Sequence, residues 1–415
     1  MRERATRRRL SACERFVWAA GQALPVNIAF IARIQGRAEP SRLREALAAA
    51  RRRHPLLAAR VASAGRWRAW LTTEDVPDPE LRLVRATAPD SWARVAEEEL
   101  QRPFDTAAGP LTRFVLVDAG DSFDLISVYH HLAADASSAA IVIHDILRGP
   151  AEGPSEPAVL PPPADALLPR PRPDLSDLRK LARSLSSPTR PAHHSGPLTF
   201  TTWSLGEEET SIILARCRAE GTTLQAALCT AFARDFGRPV HIAVAADLRR
   251  ILAPAARSSV GLYATSFLQP IDTTTPDFWT QARKVKADIH RRLTPDELGP
   301  LVRAYRLLPF IPHQAIGSLL HRSETQGARF DVSISNARLP IPTDYGPLRL
   351  SALYGAAHTS LSGAPLVLVI GINGRLCLSV TSTDATGSQA LCKRAMSHLT
   401  AALVSSSPAS SAVSD

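Results

Sequence analysis

The segment richest in chemistry is VYHHLAADASSAAIVIHDIL, Val128–Leu147. Two adjacent histidines, His130 and His131, close an apolar run, and Asp135 follows four positions after the second. A neutral imidazole at a strand end suits a general base near pH 7, because its unperturbed pKa is about 6.5. Adjacent strand residues point to opposite sides, so one histidine faces a core and the other a cleft. The two therefore do not share one role. Asp135 precedes a helix from Ala136 with Ala139, Ala140, Ile143, Ile146 and Leu147 on one face. It can cap that helix by accepting the backbone N–H of Ser137 or Ser138, and spacing alone leaves capping and a functional role equally open. The opposed ring directions speak against a metal held by His130, His131 and Asp135, so no metal site is expected. His144 reads as a surface or boundary residue in mid-helix, and His193-His194 as solvated. No GxxxxGK[ST] loop, GxGxxG turn, GxSxG elbow or HExxH pair occurs.

These residues need elements to hold them. Upstream, Ser11–Ala20 suits a helix capped by Ser11, and Val26–Ile34 a strand. Pro40–His54 is an amphipathic helix with Leu43, Ala46, Leu47 and Ala50 on one stripe. Ser91–Leu100 is a second such helix. Leu111–Asp118 and Ser122–His131 read as a hairpin around Ala119-Gly120-Asp121. In the second half, Leu224–Phe236 and Phe278–Arg292 are helical, Pro239–Arg249 runs from strand into loop, and Ala328–Asn336 is a strand. Pro365–Ser382 is a hairpin turning at Asn373-Gly374, and Ser388–Val404 a closing helix. Adjacent antiparallel strands among helices indicate an α+β fold with mixed sheets.

The chain has 415 residues, 45% of them hydrophobic, which supplies sizeable cores and excludes wholesale disorder. No apolar stretch approaches the roughly 18–20 residues of a spanning helix. Twelve of the 33 prolines fall between Pro150 and Pro197, marking a linker in which Asp174–Leu185 has helical spacing. Expected divisions are a basic disordered arm over 1–10, halves over 11–149 and 198–404, the Pro-rich linker 150–197, and a disordered tail over 405–415. Five scattered cysteines, none in a CxxC pair, fit core positions in a reducing cytoplasm. The net charge is +10, and only four of the 49 cations are lysines. With aromatic content at 6% and no aromatic-interleaved basic patch, nucleic acid is not the expected partner.

The HHLAADA stretch closely resembles the HHxxxDG signature of the condensation-domain and carrier-dependent acyltransferase superfamily, which includes polyketide-associated acyltransferases. Other landmarks follow in family order. LSACERFVW resembles the first motif, RRRHPLLAARV (Arg51–Val61) the "RHxxLR" element, and RPFDTAAGPLTRFVLV (Arg102–Val117) the "FD…GPLxR" strand entry. AADLRR with SVGLYATSF is similar to "VDLR…VGxFxN", and SISNARLP (Ser333–Pro340) to "SNxG". Ala136 and Ala337 depart from the motifs, standing where each has glycine.

The resemblance implies two chloramphenicol-acetyltransferase-like halves in a V-shaped pseudo-dimer with a central tunnel. It makes His131 the catalytic base and His130 structural, and pairs Asp135 with Arg249 to fix the loop that presents His131. Ala136, Ser333, Ser335 and Asn336 become candidate oxyanion or tunnel residues. The implied activity is a stand-alone acyltransferase of natural-product biosynthesis, forming an ester on an alcohol, or an amide on an amine. No permanently bound cofactor is implied; the acyl donor rides on the phosphopantetheine of an acidic acyl- or peptidyl-carrier protein, or on CoA. The alternatives are an amide-forming condensation enzyme and a non-catalytic carrier-recruitment module of the same fold. A monomer is expected.

Overall fold

The computed structural model describes residues 6–22, 24–64, 68–149, 159–168, 197–252, 254–304, 330–339, 341–359 and 363–404. The Asp174–Leu185 helix, His193-His194 and the 405–415 tail lie outside them.

In the first half, β1 (Arg7–Arg9) leads into α1 (Ala12–Gly21), then β2 (Asn27–Gln35), α2 (Pro40–Arg53), β3 (Arg60–Ala64), β4 (Arg68–Thr72) and β5 (Leu81–Arg85). After these come α3 (Ser91–Gln101), β6 (Thr112–Asp118), β7 (Ser122–His130) and α4 (Ala136–Arg148). Local chemistry accounts for the boundaries. At α1, Ser11 accepts the Glu14 N–H while the Glu14 carboxylate accepts the Ser11 N–H, a reciprocal capping box. Helix α2 opens on Pro40 and ends in Arg51, Arg52 and Arg53, which complement the helix dipole.

The second half contains β8 (Thr199–Leu205), α5 (Glu207–Ala219), α6 (Leu224–Asp235), β9 (Val240–Asp247), β10 (Ala264–Ile271), α7 (Phe278–Arg292) and α8 (Pro295–Ala304). It continues through β11 (Val332–Arg338), β12 (Asp344–Tyr345), β13 (Leu348–Ala357), β14 (Leu366–Ile372), β15 (Arg375–Ser382) and α9 (Ala385–Val404). The β14–β15 turn is made by Asn373 and Gly374 at φ 47° and 71°, the paired positive angles that a two-residue Asn-Gly hairpin requires.

Two six-stranded sheets result, in the orders β12-β13-β2-β7-β6-β5 and β10-β9-β11-β14-β15-β8, with a small sheet β1-β4-β3. Each large sheet mixes parallel and antiparallel pairs: β5 lies parallel to β6 in one, and β11 parallel to β9 and β14 in the other. The α+β expectation with mixed sheets holds. Helices α2, α3 and α4 bury their apolar faces in one core with the first sheet, and α6, α7 and α9 do so with the second.

Two features depart from the expected divisions. Residues 344–357 complete the first sheet, β13 pairing antiparallel with β2 from Arg349↔Gln35 to Ala357↔Ile28. The stretch 198–404 thus supplies strands to both sheets. The second is a correction: within the basic arm, Arg7–Arg9 form a strand. Arg7–Arg9 pairs with Trp70–Thr72, the Arg7 guanidinium lies 4.4 Å over the Trp70 ring, and Arg8 Nη2 donates to Glu14 Oε1 at 2.6 Å. An open strand edge and a buried carboxylate dock what charge alone suggests should fray.

The sheets meet at Gly355 in β13. A Cβ there would fall 2.1 Å from Leu368 Cδ2 of β14 and 2.8 Å from Phe30 Cε1 of β2, both in the packed core. Gly355→Ala is expected to cost ~1–3 kcal/mol of stability, as overpacking does. Urea denaturation checks it, and an unchanged midpoint would show that the junction is looser than described.

Candidate active site

Strand β7 ends at His130, one residue earlier than expected, and His131 opens a turn that reaches Asp135. Backbone bonds fix this turn. His130 N donates to Leu111 O (3.0 Å), His131 N to Val26 O (3.1 Å) and Ala133 N to His130 O (2.8 Å). Leu132 and Ala133 are buried in a small core with Trp18, Val26, Leu56, Leu71, Leu111 and Leu262. The turn is therefore anchored from below.

The two histidines part company where the strand gives way to the turn. His130 is buried, its Nδ1 accepts the Leu132 N–H at 3.2 Å, and burial, with His131 beside it, pushes its pKa down to about 3. It is a neutral core residue. His131 is half-buried, with Nδ1 2.9 Å from Ala134 O. A carbonyl only accepts, so Nδ1 carries the proton and Nε2 is left with a lone pair. That is the tautomer a general base needs, set by a backbone carbonyl.

Asp135 both caps α4 and pairs with Arg249. Oδ1 caps α4 by accepting Ser138 N at 2.8 Å, and Oδ2 accepts Arg249 Nη1 at 2.8 Å and Tyr263 N at 2.9 Å. Ser138 Oγ lies 2.8 Å from Oδ1. These donors occupy the carboxylate, and the His131 ring is held by Ala134 O instead.

Arg249, in the turn after β9, is equally occupied. Nη1 serves Asp135 and Asp247 (3.4 Å), Nη2 serves Ser138 Oγ and Ser259 O (both 2.9 Å), and Nε serves Ala256 O (3.2 Å). Burial lowers the guanidinium pKa, but Asp135 and Asp247 outweigh it and hold it above its ordinary value. Ser138 adds a second tie, its Oγ lying 3.0 Å from Gly261 N and 2.9 Å from Gly261 O. This network bolts the first half, through α4, to the 249–263 segment of the second. Sequence reading found Asp135 and Arg249 but gave Ser138 only a backbone role and assigned nothing to Tyr263. Tyr263 acts through its main-chain N–H on Asp135 and through its ring, 4.7 Å from the Arg249 guanidinium.

Ala136, Ser335 and Asn336 come together, lining a cleft of about 390 Å³ between the start of α4, β9, β11, α6 and α7. Ser333 does not join them; its hydroxyl lies 3.5 Å from Ala243 O on the neighbouring strand. His131 itself is not in that lining. A larger groove of about 760 Å³ at the far edge of the first sheet, over Arg33 and Trp92, contains none of the motif residues. The smaller cleft is the one that Asp135, Ala136, Ser335 and Asn336 line. Neither Ala136 nor Ala337 has a positive φ, so the backbone has no need of the motif glycines here. All five cysteines are free and four are buried. Among the described residues, no helix is long and apolar enough to cross a membrane.

Residues 20–150, the span that contains both histidines and Asp135, match the Condensation domain family model. The chain superposes on polyketide synthase associated protein 5 from Mycobacterium tuberculosis with a TM-score of 0.69 at 18% identity, covering 96% of this chain and 98% of that one. This is a condensation-domain fold. The same fold is shared with a trichothecene 15-O-acetyltransferase from Fusarium sporotrichioides (TM-score 0.75, 12% identity, 95% of each chain). It is shared too with the first condensation domain of the CDA synthetase (TM-score 0.71, 16% identity, 97% of each chain). By sequence, no curated protein matches the chain.

The buried histidine gives this condensation-domain fold a pH dependence of stability. His130 is neutral in the folded chain down to about pH 3, whereas in the unfolded chain it takes up a proton below about 6.5. Its contribution is therefore complete above pH 6.5 and is lost on acidification, at up to ~1.4 kcal/mol per pH unit. His358, pushed down to about 4 by burial, adds in the same direction. Urea midpoints at pH 7.5, 6 and 5 should fall with pH, less steeply in His130→Gln; equal slopes in the two proteins would refute the assignment.

Proposed function

We propose that the protein is a stand-alone acyltransferase of natural-product biosynthesis, moving an acyl group from a carrier-protein or CoA thioester to an acceptor hydroxyl. The observation that carries this reading is the His131 ring, with Nδ1–H donated to Ala134 O and Nε2 left as a lone pair on a half-buried side chain. The acceptor oxygen attacks the thioester carbonyl while His131 Nε2 removes its proton. The tetrahedral oxyanion collapses, the C–S bond breaks, and the imidazolium returns the proton to the departing thiolate. An ester and a free thiol result, and no enzyme nucleophile is consumed.

Backbone N–H groups at the start of α4, beside Ala136, and the side chains of Ser335 and Asn336 are the groups we assign to the oxyanion. Asp135 and Arg249 position the turn and do not touch substrate. An amine acceptor would follow the same course to an amide. An O-acetyltransferase, a polyketide-associated protein and a synthetase condensation domain share the fold, which accommodates either acceptor. A partner of opposite charge fits the +10 chain, whether an acidic carrier domain or CoA phosphates. Mass spectrometry of hydroxylated acceptors incubated with acyl-carrier and acyl-CoA thioesters tests the proposal. An acylated acceptor formed only with enzyme supports it; carrier binding with no transfer from any donor would convert the reading to a recruitment module.

A further inference from the structure

The cleft beside the Asp135–Arg249 pair has a charge pattern that acyl transfer alone does not require. Three cationic side chains, Arg250, Lys286 and Arg338, line it together with the ring of His290. They come from three separate elements: the turn after β9, helix α7 and strand β11. The two carboxylates in the lining are Asp135 and Asp247, and both are turned to Arg249, with Asp247 Oδ2 also accepting Ser137 Oγ at 2.9 Å. Lys286 Nζ makes one bond, to the carbonyl of Gly221 at 2.7 Å. Among the described residues, neither Arg250 nor Arg338 has an acidic partner, and both are exposed. Cations without counter-ions, facing a common space, repel one another unless something anionic enters.

Neighbouring groups reinforce this. The lining also holds the first residues of α6, where main-chain N–H groups have no partner within the helix. Adjacent arginines divide the work: Arg249 turns inward to the buried pair, and Arg250 is left outward at the cleft.

We infer that this cleft recognises an anionic group of the substrate, a carboxylate or a phosphate, through Arg250, Arg338 and Lys286. The inference deepens the acyl-transfer reading by naming the substrate's charge, and it is measured without turnover. The anion has two possible sources: an acidic acceptor molecule, or the phosphate of the donor's pantetheine arm.

Calorimetric titration of the full chain with two matched pairs separates them, hippurate against hippuramide and 4′-phosphopantetheine against pantetheine. The anionic member of one pair should bind about tenfold or more tighter than its neutral counterpart, as a charge-assisted hydrogen bond gives. A preference in the first pair marks an acidic acceptor, and in the second the donor phosphate. The preference should vanish in Arg250→Gln/Arg338→Gln, whose exposed positions leave the fold intact by circular dichroism, and shrink in Lys286→Gln as an independent variant. His131→Ala should keep it, since anion binding needs no base. No preference in either pair, or one that survives the double substitution, overturns the inference; absence of acyl transfer with the preference intact counts against the proposed activity alone.

Discussion

His131→Ala yields a folded protein whose acyl transfer falls by ~10²–10⁴-fold, the range a positioned general base supplies. The fold should survive because the ring's hydrogen bond stays within its own turn, to Ala134 O. What holds that turn is main chain and core: His131 N on Val26 O, and Leu132 and Ala133 packed beneath. None of this depends on the imidazole. The neighbouring substitution His130→Ala behaves differently, because it empties a fully buried site against Phe104 and removes the acceptor for Leu132 N. It should lose stability first, by the few kcal/mol typical of a core cavity, and activity only as a consequence. Measured side by side, turnover and urea midpoint separate the two histidines. Unchanged turnover in His131→Ala would end the assignment of the base.

The legible parts of the molecule were those whose signals are local. Pro40–His54 announced itself by period, Asn373-Gly374 by turn chemistry, and Ser11 as a capping residue ahead of a helical stretch. The site was legible in the same way, as a strand end, a turn and a capped helix inside twenty residues. What escaped was long-range. β13 lies between β11 and β14 in the chain but pairs with β2 in the other sheet, and its burial pattern does not alternate cleanly. Tyr354 on that strand stacks on Trp92 of α3 at 5.5 Å, a contact set by neither neighbourhood alone. The basic arm misled for a related reason: its charge is visible in sequence, while the edge of β4 that receives it is not. Arg249 was reached only through motif resemblance, since no local rule distinguishes it from Arg250.

Asp135→Ala should be the most destabilising single change at the site, by about 3–5 kcal/mol, as when one partner of a buried ion pair is removed. Arg249 would remain 6% exposed and charged, facing Asp247 at 3.4 Å as its nearest remaining carboxylate. Tyr263 N and Ser138 N would lose their acceptor in the same step, and helix α4 its cap. Activity should fall with stability, because the bond from Asp135 to Arg249 is what ties the end of the His131 turn to the second half of the molecule. Asp135→Asn keeps one acceptor oxygen, which can cap α4, but loses the charge and the second acceptor, and should fall between wild type and alanine. The double change Asp135→Ala/Arg249→Met removes both ions together, so its midpoint should recover part of the loss while turnover does not return. Equilibrium urea denaturation of the four proteins, with turnover measured well below each midpoint, checks this. An Asp135→Ala protein as stable as wild type yet inactive would mean that the carboxylate acts on the reacting groups, and that the buried pair is not what positions His131.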